Sequence, residues 1–254
     1  MAATGKGQLF SKDQVLIDIN CDMGEGMNTD AELMPYISSA SIACGYHAGD
    51  INLMNATVEL ALKYNVNIGA HPSYPDKENF GRTAMLLSPA EVYAIVTRQI
   101  NDLTAICKSH NTKLQHVKPH GALYNTAAKD NNIAAAIARA IKENDPALIL
   151  FGLPNSCLQQ AATETGISFW AEAFADRTYQ PGGSLTPRQQ PNALIETEND
   201  SVKQVLQIVH EKTLTAVDGT IMNTDVQTIC IHGDGKHALV LAKAIHRALR
   251  MPAK

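Results

Sequence analysis

The sequence predicts a β/α barrel, and three observations carry the prediction. Short apolar runs alternate with stretches of helical periodicity along the chain. Five of the runs place apolar residues on one face of a strand and polar or small residues on the other. Histidines and carboxylates gather at the C-terminal ends of the runs, where a barrel assembles its chemistry.

The runs, in order, are VLIDIN (15–20), SIACG (41–45), VNIGA (66–70), LQHVK (114–118), ALILFG (147–152), ISFWAEAF (167–174) and QTICIH (227–232). Between them, NLMNATVELALKY, SPAEVYAIVTRQINDLTAICKSH, NIAAAIARAIKEN, NSCLQQAATETG and SVKQVLQIVHEKTLTAV carry apolar residues three and four apart. HALVLAKAIHRALRM closes the chain. Composition does not break across these seven units, so a single β/α domain over 15–254 is expected. Residues 1–14 have no apolar segment of signal-peptide type and read as a disordered lead.

Parity argues for a barrel over an open sheet. Ile17, Ile19 and Cys21 oppose Asp18, Asn20 and Asp22, and Ile42 and Cys44 oppose Ser41, Ala43, Gly45 and His47. Val66, Ile68 and Ala70 oppose Asn67, Gly69 and His71. Val117 and Pro119 oppose His116, Lys118 and His120, and Ile229 and Ile231 oppose Thr228, Cys230, His232 and Asp234. A parallel strand covered by helices on both sides reads as a continuous apolar run. These strands do not, so the polar set is expected to face a closed or nearly closed barrel axis. In HVKPH, Pro119 excludes a helix and leaves His116 and Lys118 pointing inward on a strand.

Asp22, His47, His71, His120, Glu172, Asp176, His232 and Asp234 then converge on one mouth, the expected active site. Asp22, Glu25, Asp50, Asp234 and the histidines are candidate acids and bases. Alternatively, Asp22, His47, His71 and His120 are candidate ligands of a divalent metal. Backbone amides near Gly45 and Gly121, with Lys118, are candidates to hold anionic groups. Cys21 and Cys44 fall on the helix side, whereas Cys230 faces inward as a conceivable nucleophile. Two long Gly- and Pro-rich loops, 71–85 and 176–192, bring Arg82, Arg177 and Arg188 and read as binding loops.

The 254 residues carry a net charge of −4, which suggests neither nucleic acid nor a membrane surface as partner. Five widely spaced cysteines without a C-x-x-C suit a reducing, cytoplasmic compartment. There is no G-x-x-x-x-G-K-[ST], no G-x-G-x-x-G after a strand, no H-E-x-x-H and no G-x-S-x-G.

DINCDMGEG, ACGYHAGD, IGAHPSYPD, FGR, HVKPHGALYN, EAFADRTY, LTPR and CIHGD, in order from about residue 15 to 248, together resemble the LamB/YcsF family. The resemblance implies a seven-stranded, TIM-like β/α barrel of the glycoside hydrolase/deacetylase type. It also implies one component, the A subunit, of a 5-oxoprolinase, which opens 5-oxo-L-proline to L-glutamate with ATP hydrolysis beside subunits B and C. Asp22, His47, His71, His120 and Lys118 are then the expected catalytic residues. Asn20, Glu25, Asp50, Arg82, His116, Glu172, Arg177, His232 and Asp234 are the expected substrate contacts. The chain departs from the family pattern at Gly26, Ser41 and Thr83, and inward-facing Ser41 is expected to alter a substrate contact. A stand-alone metal-dependent amidohydrolase or deacetylase is one alternative, and a non-catalytic binding subunit is the other.

Overall fold

The computed structural model describes residues 17–250, so the lead expected over 1–14 lies outside the described residues. Strands β1 (Asp18–Met23), β2 (Ser39–Ala43), β3 (Asn67–His71), β4 (His116–Val117), β5 (Ile149–Gly152) and β6 (Ser168–Phe174) lie side by side in chain order. After an antiparallel hairpin of β7 (Thr213–Thr215) and β8 (Ile221–Asn223), strand β9 (Thr228–Ile231) closes the ring between β6 and β1. All neighbours in the ring are parallel. The seven barrel strands are the seven runs expected from sequence, with ends shifted by at most three residues.

The helices are α1 (Asp30–Leu33), α2 (Ile51–Tyr64), α3 (Pro89–Ser109), α4 (Gly121–Ala127), α5 (Asn131–Asn144), α6 (Cys157–Thr165), α7 (Glu198–Leu206) and α8 (Ala238–Arg250). Their starts follow from side-chain capping. Asp50 accepts from the Asn52 and Leu53 amides, Asp130 from Asn132 and Ile133, and Ser88 forms a reciprocal capping box with Glu91 ahead of Pro89. Helix α3 buries Val92, Val96, Ile100, Leu103 and Cys107, spaced three and four apart, as one stripe against the barrel wall.

The outer face of the strands supplies the core. Ile19, Cys21, Ile42, Ile68, Val117, Leu150, Ile229 and Ile231 are buried beneath the helices. The inner face is polar, with one aromatic plug. His116 stacks on Phe151 (centroids 4.2 Å apart), and Phe151 stacks on Trp170 (5.3 Å). Contacts between nearby strands line this face: Ser39 on β2 and Thr228 on β9 donate to Asp18 on β1, and Asn20 donates to Thr228 and to Glu172 on β6. Gly69 is required here because the imidazole of His116 fills the place of its missing side chain. A Cβ there would lie 2.1 Å from His116 Nε2.

Two local expectations fail. The helical reading of 201–217 overruns: α7 ends at Leu206, a π turn covers Gln207–Glu211, and Lys212 turns left-handed at φ +54°. The following residues alternate, with Leu214 and Ala216 buried and Thr215 exposed, and this period of two makes a strand. Asn67, expected inside the barrel, is exposed where it opens β3. Among the described residues no helix is long and apolar enough to cross a membrane.

The Gly69–His116 fit gives a test by double-mutant cycle. Gly69→Ala alone is expected to cost about 1–3 kcal/mol through overpacking. In a His116→Ala background the same change is expected to cost much less, because the clashing ring is gone. Chemical denaturation of the four proteins measures the coupling, and strict additivity would show that the two sites do not touch.

Candidate active site

The strand ends and the loops after them surround a cavity of about 820 Å³. Its floor is a buried charge cluster built from alternate positions of three strands and the residue beyond β4. Lys118 Nζ lies 2.5 Å from Asp22 Oδ1 and 3.1 Å from Glu172 Oε1, and it also donates to Asn20 Oδ1 at 2.8 Å and Cys230 Sγ at 3.2 Å. Burial disfavours the Lys118 ammonium, yet Asp22 and its other anionic neighbours outweigh burial and hold its pKa well above the usual lysine value. Burial likewise opposes ionisation of Asp22, but the attraction of His71 and then Lys118 keeps its carboxyl well below the usual range. Lys118 is therefore a fixed cation and Asp22 a fixed anion. Burial pushes the Cys230 thiol up, which argues against a nucleophilic thiolate.

Among the described residues, Glu172 Oε2 and the hydroxyl of Tyr124, which face each other over this floor, have no well-formed hydrogen bond. Both residues line the cavity. Burial first, and Glu172 second, pushes the Tyr124 phenol well above its ordinary pKa, so it stays a protonated donor.

Beside the floor stands a histidine cluster. His71 Nε2 is 2.9 Å from His120 Nδ1 and 3.3 Å from Asp22 Oδ2, and His47 Nε2 is 3.0 Å from Glu25 Oε1. The rings of His47 and His120 stack 3.8 Å apart. Burial lowers the pKa of His47 to about 3 and that of His120 well below normal, with His71 adding to both. Burial also raises Glu25, seconded by Asp22. Gly81, at φ +66°, packs its bare Cα against this stack; a Cβ there would lie 2.8 Å from His47 and 2.9 Å from His120. Loop 71–85 thus delivers Phe80, Gly81 and Arg82 to the mouth, as expected of a binding loop.

Other sequence-expected residues are placed as follows. His232 is held by Asp176, whose carboxylate accepts from its backbone amide at 3.1 Å and faces its Nδ1 at 2.9 Å. Arg82 pairs with Asp234 on the rim and lies over the Phe80 ring. Arg177 lines the cavity, but its guanidinium donates to the carbonyls of Thr186 and Ala193, and burial lowers its pKa to about 10. Its job is to fix loop 176–192, whose residues 182–189 form one wall of the cavity.

Several expectations need correction. Asp50 is an exposed helix cap and does not reach the site. His116 and Asn20 point inward but are fully buried beneath the cavity, where they support its floor. Ser41 bonds His116 Nε2 at 3.1 Å, so its departure from the family pattern falls on that support and not on a substrate contact. The amides near Gly45 are not a free helix terminus, because α2 starts at Ile51 and Asp50 caps it. At Gly121 the next amide, Ala122, already donates to the Gly81 carbonyl. The metal-ligand set expected from sequence contained Asp22, but Glu25 is the carboxylate that groups with His47, His71 and His120 within 4.8 Å. In a second group, Asp22, Cys230 and His232, the first two already hold the Lys118 ammonium.

Sequence reasoning missed Tyr124, Ser73 and Gln99. Tyr124 lies in α4, four residues beyond His120, the residue that precedes the helix in extended conformation. The buried amide of Gln99 on α3 brackets Ser73 through its backbone amide (3.0 Å) and carbonyl (2.9 Å), and Ser73 Oγ meets His47 Nδ1 at 2.9 Å. No local signal marks Gln99, which sits within an apolar stripe.

Asp176 carries a pH test. Burial opposes its ionisation, but His232 and its amide win and lower its pKa. A depressed carboxylate stabilises the fold above its unfolded pKa of about 3.9 and loses that contribution as pH falls through the folded value. Asp176→Asn is expected to lose about 1–3 kcal/mol near pH 6, and to show a shallower further loss than the parent between pH 5 and 3. Urea denaturation across that range decides it.

Known proteins resemble this chain. The LamB/YcsF family model matches residues 17–253. A protein from Tolumonas auensis, named as the A subunit of 5-oxoprolinase, is 50% identical over 238 residues, covering 92% of this chain and 95% of the relative. A Geobacillus thermodenitrificans protein of the same name is 49% identical over 238 residues, covering 92% and 93%. The crystal structure of a lactam utilization protein from Thermus thermophilus superimposes with a TM-score of 0.87 at 40% identity, covering 92% of this chain and 95% of that one. The chain, from its first barrel strand to its last helix, belongs to the LamB/YcsF family.

Proposed function

We propose that this chain is the A subunit of an ATP-dependent 5-oxoprolinase, a hydrolase that opens the lactam of 5-oxo-L-proline to L-glutamate. The observation that carries the reading is the pair of buried groups that face each other over the charged floor, Glu172 Oε2 and the Tyr124 hydroxyl, neither with a well-formed hydrogen bond. A five-membered lactam is a cis amide, so its N–H and C=O project from one edge. Glu172 Oε2 accepts and the Tyr124 hydroxyl donates, which complements that edge and leaves neither of these two atoms unsatisfied.

The remaining roles follow from charge. Lys118 is a permanent cation beneath the carbonyl position and stabilises the negative charge that develops there when the ring opens. Asp22 and Asn20 fix its ammonium. On the other side of Asp22, His71 and His120 turn their ring nitrogens toward the position of the attacking water. A divalent cation, when bound at this mouth, would polarise the carbonyl and acidify water.

A lactam of this size is a stable amide, so its opening is coupled to ATP. The cavity of about 820 Å³ has the dimensions of a site for a much larger ligand. A phosphoryl donor or a phosphorylated lactam fits its outer part, where Lys129 and Arg188 line the wall. The sequence lacks a P-loop, so subunits B and C share the nucleotide work in this reading. Five unpaired cysteines support a reducing, cytoplasmic setting for the assembly.

The test is glutamate release from 5-oxo-L-proline and ATP by this chain alone and with both companion subunits. Turnover is expected only in the assembly. Tyr124→Phe and Glu172→Gln preserve shape and are expected to reduce kcat by roughly 10²–10³-fold each. If both variants turn over at the parent rate with the companions present, the lactam is not bound on this edge.

A further inference from the structure

The histidine cluster has a definite pattern of hydrogen-bond donors. His71 Nδ1 is 2.6 Å from the Lys118 carbonyl, which only accepts, so in the neutral ring the proton sits on Nδ1 and Nε2 is the bare imine nitrogen. His120 Nε2 is 2.9 Å from the Phe80 carbonyl, so here Nδ1 is bare. Ser73 Oγ donates to the Tyr74 carbonyl at 3.0 Å, so it accepts from His47 Nδ1 and leaves Nε2 bare. Three different outer contacts thus aim three lone pairs inward.

Those lone pairs face one another and a carboxylate. His71 Nε2 meets His120 Nδ1 at 2.9 Å, His47 Nε2 meets Glu25 Oε1 at 3.0 Å, and Glu25 Oε1 is 3.5 Å from His120 Nδ1 and 4.0 Å from His71 Nε2. With neutral imidazoles, a protonated Glu25 donates to only one of the bare nitrogens, and His71 Nε2 and His120 Nδ1 still face each other at 2.9 Å without a donor, an arrangement that is repulsive unless a cation sits among them. Tetrahedral coordination at about 2.0–2.2 Å separates ligand atoms by about 3.3–3.5 Å, and the observed separations bracket that value.

We propose that Glu25, His47, His71 and His120 form a binding site for one divalent transition-metal ion, with Zn²⁺ as the best match to three imidazoles and a carboxylate. The donor set disfavours Mg²⁺ and Ca²⁺, which take oxygen ligands. Asp22 stays outside the set, because Lys118 already neutralises it. His71 and His120 line the cavity, so the ion sits in its wall next to the charged floor. Ser73, bracketed by Gln99, is a positioning residue: it holds the His47 tautomer without touching the ion.

The experiment uses the full chain, stripped with a chelator and exchanged into chelator-free buffer. Calorimetric titration is expected to show one equivalent of Zn²⁺ bound and no comparable Mg²⁺ binding, and Co²⁺ is expected to give the visible absorption of a nitrogen-rich tetrahedral site. Ser73→Ala is expected to weaken Zn²⁺ roughly 10–100-fold with unchanged circular dichroism, and Glu25→Gln to weaken it at least as much. Absence of stoichiometric Zn²⁺ and Co²⁺ binding in the folded parent, or parent-like affinity in Glu25→Gln, overturns the proposal. So does nitrogen NMR showing the His71–His120 contact bridged by a proton in protein saturated with Zn²⁺. These readouts need no turnover, so failure here is separable from failure of the lactam reading.

Discussion

A buried ammonium has to be neutralised, and Lys118 organises the inside of this barrel around that requirement. An isolated charge in the interior is far more costly than any single contact returns, so Lys118 exists there only because Asp22, Glu172 and Asn20 converge on it from β1 and β6. Two of those groups are in turn fixed by others: Asn20 by Thr228, Glu172 by Asn20. The chain of partners spans strands far apart in sequence, so the network forms only when the ring closes.

The same constraint explains why the barrel has two kinds of filling. The aromatic plug of His116, Phe151 and Trp170 fills the barrel and supports the charges from below. Gly69 gives up its side chain to admit that plug. Above it, space opens into the cavity, where the strand ends offer groups able to do chemistry. Outside, the packing is ordinary: stripes of Val, Ile, Leu and Ala on capped helices cover the apolar face of the strands. Chemistry and stability are thereby divided between the two faces of one sheet.

The loops decide what reaches the mouth. Loop 71–85 is tied at Ser73 by Gln99 and pressed onto the histidine stack at Gly81, so it acts as a fixed wall. Loop 176–192 is held from inside by the Arg177 guanidinium and closes the opposite side. Arginines that looked like substrate ligands in the sequence are used to hold these walls or to pair with a rim carboxylate, as Arg82 does with Asp234. The cations facing the cavity are fewer than a count of basic residues suggests.

Much of this was legible in the linear chain. Side chains alternate along a strand, so Asp22, Lys118, His71 and Cys230 had to face opposite to Cys21, Val117, Ala70 and Ile231. Seven such runs separated by helical stripes leave few ways to bury the apolar side. Parity and periodicity are local geometry, and local geometry is written in sequence. Which inward groups meet is another matter. That Glu25 and not Asp22 joins the three histidines, that His116 ends in a plug and Asp50 in a cap, and that Tyr124 and Glu172 are left facing each other over the floor depend on strand register and loop path. Those are set by packing across the closed ring between residues up to 210 positions apart, which no window along the chain contains.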